Sequence, residues 1–78
     1  MTRRDKLVAR IRARPPEADF TDVSALLEEF GWILDRERGS HTIFIKSGEF
    51  PITIPKHGGR KVKRIYLDKI CELLKLDD

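Results

Sequence analysis

Cysteine is almost missing from this sequence. Cys71 stands alone, so no internal disulfide can form, and with only His41 and His57 far from it in the chain it cannot complete a Cys/His metal site. It reads as a small core residue. Long hydrophobic runs are missing too: no apolar stretch approaches the ~20 residues that cross a bilayer. The start, Met1, Thr2, Arg3, Arg4, Asp5, Lys6, leads into apolar residues broken by Arg10, Arg12 and Arg14. That pattern lacks a secretory hydrophobic region, so the expectation is a cytoplasmic protein with no membrane partner. The 78 residues leave room for one domain, 1–78, in which only about 60% of the unfolded surface can be buried. A deep enclosed cavity is excluded on that scale. An open face suits a polymer better than a small metabolite, and neither a cofactor nor a metal is expected.

What the chain does have is charge, at 37% of residues against 40% hydrophobic, the balance of a soluble globular protein. The net charge of +3 is modest, but its distribution is uneven. Residues 1–14 carry six Arg or Lys against Asp5; residues 17–29 carry Glu17, Asp19, Asp22, Glu28 and Glu29 and no base. Lys56, Arg60, Lys61, Lys63 and Arg64 then follow with no acid among them. Beside Gly58 and Gly59, this last cluster reads either as a phosphate-binding surface or as the solvated start of a helix.

Periodicity orders the elements. Leu7, Val8 and Ile11 lie on one side of a short helix that Pro15 and Pro16 terminate. Val23, Leu26, Leu27 and Phe30 stand at i, i+3, i+4 and i+7, with Thr21 as cap, Asp22 in the first turn and Gly31 as stop. From Trp32 to Arg38 the period becomes two, with Trp32 and Leu34 facing one way and Ile33, Asp35 and Glu37 the other. Gly39 and Ser40 turn the chain into a second strand, Thr42, Ile43, Phe44, Ile45. Ile52, Thr53 and Ile54 make a third, and the flanking Pro51 and Pro55 place it at a sheet edge. Leu67, Ile70, Cys71 and Leu74 restore the helical spacing. The order predicts an α+β fold, a small antiparallel three-stranded sheet with helices on one face.

The segment from Gly31 and Trp32 through Gly39, Ser40, His41 and Phe44 to Ile54, Pro55, His57, Gly59, Leu67 and Ile70 resembles the HicA toxin family, over roughly residues 22–75. Many members carry a second histidine after the first, where this chain has Thr42. The resemblance implies a fold like the double-stranded RNA-binding domain in the order α-α-β-β-β-α, metal-independent endoribonuclease cleavage of mRNA, and neutralisation by a HicB-type antitoxin.

The residues fit that chemistry on their own terms. RNA supplies its own nucleophile, the 2′-OH, so a protein can cut it by moving protons and stabilising charge. Histidine, with an ordinary pKa of about 6.5, holds both protonation states near neutrality. His41, after a tight turn, is the candidate general base or acid. Gly39, Ser40, Lys56, Gly58, Gly59, Arg60, Lys61 and Lys63 are the candidate phosphate and RNA contacts. His57 is either a secondary catalytic group or a brace for the glycine loop. Trp32 and Phe44 either stack on bases or fill the core, and Glu28 and Glu29 read as a solvated face. The alternative function is a non-catalytic RNA-binding module, which would need the basic side chains but not His41. An interaction domain that only engages a partner is a third reading.

Overall fold

The computed structural model describes residues 2–77, so Met1 and Asp78, the ends of the expected domain, lie outside it. Its elements run α1 (Arg3–Arg12), β1 (Glu17–Asp19), α2 (Phe20–Glu29), β2 (Ile33–Arg38), β3 (His41–Ile45), β4 (Ile52–Pro55), β5 (Lys61–Lys63) and α3 (Arg64–Leu73). The expected three helices and the antiparallel sheet β2-β3-β4 are present, with β4 at an edge. A second, two-stranded sheet, β1-β5, was not anticipated. Its strands read Glu-Ala-Asp and Lys-Val-Lys, too short for an alternation to register. Each contributes one buried residue, Ala18 or Val62, and these face each other in register. On either side Glu17 opposes Lys63 and Asp19 opposes Lys61. Opposite charges across a strand pair stabilise it, so the acidic and basic runs of the sequence find each other here.

Sheet β1-β5 also corrects the start of α2. Because Asp19 is held in the strand, the helix begins at Phe20 with Asp19 as cap residue, and Thr21 lies inside the first turn. The Phe20 N–H donates to the Arg60 carbonyl at 2.7 Å. The stop is as expected. Gly31, at φ +92°, donates to the Glu28 carbonyl, and the Trp32 N–H reaches back to Leu27 at 2.9 Å, the double closure that an αL residue permits. Lys75 (φ +56°) closes α3 in the same way and turns Leu76 onto the core.

The core gathers Leu7 and Ile11 of α1, Val23, Leu26 and Leu27 of α2, Leu67, Ile70 and Cys71 of α3, Phe44 and Ile54 from the sheet, and Trp32 just before β2. Trp32 and Phe44 are therefore packing residues. Burying side chains of this size contributes about 1.5–3 kcal/mol each. On β3 the inward positions are Thr42 and Phe44; His41 and Ile45 are exposed. Thr42 is fully buried and its hydroxyl donates to the Ile54 carbonyl at 2.5 Å.

One irregularity changes the expected faces of β2. The register with β3 shifts at Asp35, where the strand carries an extra residue. A bulge reverses the parity of everything beyond it. Ile33 pairs with Ile45 on the outer face as expected, but Glu37 then pairs with the buried Thr42, while Arg36 pairs with Ile43 and Arg38 with His41. The expectation that Glu37 shares a face with Ile33 is thus overturned. Two arginines come to the outer face in place of two acids.

Candidate active site

Three backbone devices position the candidate groups. In the first, Gly39 takes φ +59° while Ser40 keeps an ordinary φ, the pattern of a two-residue type II′ hairpin turn. His41 is the first residue of β3 and projects from the outer sheet face with Arg38 beside it. In the second, β4 runs past this point: Pro55 is the cross-strand partner of His41, and the Lys56 N–H donates to the Ser40 carbonyl at 2.7 Å. The third is a tight reversal. The His57 N–H donates to the Lys61 carbonyl at 2.6 Å and the Lys61 N–H returns to His57 at 3.0 Å, across Gly58 (φ +60°) and Gly59 (φ +76°). A Cβ added at either glycine would meet nothing within 4 Å, so these glycines serve the backbone turn and leave its surface open.

These devices surround a shallow cleft of about 240 Å³ lined by Ser40, Pro55, Lys56, His57, Lys63 and Tyr66. Four of the sequence candidates, Ser40, Lys56, His57 and Lys63, therefore meet in one place. His41 stands at its rim, across the β3–β4 pair from Pro55. Gly39, Gly58, Gly59 and Arg60 occupy the surrounding turns and Lys61 opens β5; none of them lines it. Tyr66, on the first turn of α3, was not singled out from the sequence, because its neighbours Leu67 and Ile70 set a helical core pattern that leaves an aromatic one position away looking like ordinary surface. Arg36 and Arg38 were missed for the reason just given: no sequence pattern announces a bulge.

The cations of the cluster differ in availability. Lys56 is only 15% exposed; its ammonium lies 3.4 Å from Glu37 and 4.9 Å above the Phe20 ring. Lys61 is held 2.5 Å from Asp19, and that hydrogen bond raises the lysine pKa and lowers the carboxyl's. Among the described residues, Arg38, Arg60 and Lys63 make no ion pair. They surround the cleft and the His41 face as positive charge that can engage an anion. Nor do any three His, Cys, Asp or Glu side chains gather among the described residues as a metal ion would require.

The arrangement of a strand-start histidine after Gly-Ser, the Pro-Lys-His-Gly-Gly reversal and the helix behind it lies within a match to the model of the HicA toxin of bacterial toxin–antitoxin systems, over residues 20–76. The chain belongs to the HicA toxin family. Neither the curated proteins nor the solved structures yield a match. Membership makes this HicA chain the toxin half of a pair and implies an antitoxin partner. The family match starts at Phe20, so α1 and β1 precede the region the family model covers. None of the helices among the described residues is long and apolar enough to cross a membrane.

Proposed function

We propose that this HicA family member is an endoribonuclease that cuts mRNA in the cytoplasm without a metal ion and is silenced by a HicB-type antitoxin. The observation that carries the reading is the outer face at the start of β3, where His41 is exposed beside Arg38 and next to a cleft edged by Lys63. An imidazole there can move a proton at a phosphodiester while fixed cations stabilise the charge that develops on phosphorus oxygens. The backbone 2′-OH attacks its own phosphate, which is why the reaction asks the protein for no metal and why DNA is spared. The likeness to a double-stranded RNA-binding domain is part of this proposal: one face of the sheet carries helices and the other presents His41.

His41→Ala tests it. The variant should lose about 10²–10⁴-fold in cleavage rate and all growth inhibition, while keeping its circular dichroism and its RNA affinity. Cleavage by the parent protein in excess chelator should leave a 2′,3′-cyclic phosphate. Cutting by His41→Ala at the parent rate would remove the assignment, and RNA binding without any cutting by the parent would favour the non-catalytic RNA-binding module.

A face this open is silenced most directly by being covered. The antitoxin should therefore present acidic groups to Arg38, Arg60 and Lys63 and occlude His41.

A further inference from the structure

Resting on the ribonuclease reading, we propose that His57 is the second proton-transfer group: it protonates the departing 5′-oxygen while His41 takes the proton of the 2′-OH. The bracing role open to His57 from the sequence is performed by its main chain, whose N–H and C=O are both bonded to Lys61. Among the described residues its imidazole makes no hydrogen bond, so the ring is available while the backbone that carries it is fixed.

Pro55 stands between the two histidines. His41 pairs with Pro55, the last residue of β4, and His57, two residues on, opens the reversal and lines the cleft together with Pro55 and Ser40, the residue before His41. Two imidazoles set on either side of one proline, one at the cleft rim and one in its lining, can act on opposite sides of one phosphodiester. The roles follow from what lies beside each ring. His57 lines the cleft with Pro55, Lys63 and Tyr66, a surface with an apolar wall and an aromatic ring that suits the departing nucleoside, whereas His41 stands on the open sheet face. The charged and titratable groups around His57 are Lys56, Lys63 and Tyr66 in the cleft, Arg60 and Lys61 on its own reversal, and His41 across Pro55.

The step balances without a co-reactant. His41 accepts the 2′-OH proton, the 2′-O–P bond forms, the P–O5′ bond breaks, and the His57 imidazolium gives its proton to O5′. The products are a 2′,3′-cyclic phosphate and a 5′-OH, and exchange with solvent returns both histidines to their starting states.

The test uses two RNA substrates that differ at one atom, the second carrying sulfur in place of the bridging 5′-oxygen. A thiolate leaves without needing a proton, so only the acid becomes dispensable. On ordinary RNA, His57→Ala should be slower than the parent protein by about 10²–10⁴-fold; on the sulfur substrate it should approach the parent rate, while His41→Ala stays slow on both. Because each variant is compared with itself on two substrates, partial unfolding cancels. His57→Ala cutting ordinary RNA at the parent rate, or being equally slow on both substrates, overturns the proposal, as does rescue of His41→Ala in its place. Failure of the parent protein to cut either substrate would instead overturn the ribonuclease reading beneath it.

Discussion

The chain has two basic clusters of similar size, and the fold uses them in opposite ways. The arginines at the end of α1 are committed to carboxylates: Arg10 to Asp22 at 3.0 Å, Arg12 to Asp77 at 3.6 Å, and Arg14 to both Asp68, at 2.6 Å, and Asp77. Arg14, in the left-handed region at φ +50°, ties the end of the first helix to the last one, 54 residues away. The cluster around the cleft keeps Arg60 and Lys63 unpaired among the described residues, and the bulge in β2 adds Arg38. Equal formal charge thus becomes structural at one end of the molecule and available at the other. The difference lies in where the acids fall in space.

The largest way to break that contrast is to reverse the available charges. Arg38→Glu with Lys63→Glu should weaken RNA binding for all sequences alike and lower the slope of log affinity against log salt by about one per lost phosphate contact. The thermal midpoint should fall only slightly: Arg38 makes no ion pair among the described residues, while reversal at Lys63 sets two carboxylates opposite each other at Glu17 in the short β1–β5 pair. Filter or fluorescence binding at several salt concentrations measures both quantities. A preserved salt slope would show that RNA does not lie on this face.

Much of this arrangement is legible in the sequence. The three helices followed from apolar spacing, the β2–β3 turn from Gly39 and Ser40, and the edge position of β4 from its flanking prolines. Ser40, Lys56, His57 and Lys63, picked by residue type and charge, line one cleft. What could not be read was whatever depends on a partner distant in the chain. Sheet β1-β5 exists because two three-residue segments of opposite charge meet, and neither carries a signal alone. The bulge at Asp35 is set by how β2 must lie on β3 while Trp32 and Leu34 stay on the core side, and one extra residue was enough to exchange Glu37 for Arg38 on the His41 face. Lys61 looked equivalent to Lys63, yet Asp19 holds it.

A smaller effect is expected from the committed end. Arg14→Gln should lower the thermal midpoint and leave RNA affinity and its salt slope unchanged, the reverse of the Arg38 and Lys63 outcome. Its partners are solvent-facing and screened, so the loss should be modest and should shrink further as salt is raised. Melting curves at low and high salt check this. A drop in RNA affinity with no change in melting would mean that α1 belongs to the RNA surface, and the contrast between the clusters would fail.

The smallest effect concerns acid, and it separates the two kinds of charge by a different variable. Arg14, chiefly through its hydrogen bond, holds the Asp77 carboxyl below its ordinary range, and Lys61 does the same for Asp19. A carboxyl whose folded pKa is depressed contributes stability that is complete above its unfolded value, about 3.9, and that disappears as pH falls through the lower folded value. The melting temperature should therefore be flat from neutrality down to about pH 5 and begin to fall below about pH 4. Asp77→Asn removes one of the two contributions, so it should melt lower than the parent protein at neutral pH and converge with it in acid. Asp19→Asn should behave likewise through the β1–β5 pairing. If either variant stays below the parent by the same margin at pH 2.5 as at pH 7, the lost stability comes from packing, and the ion pair is not what secures that end of the molecule.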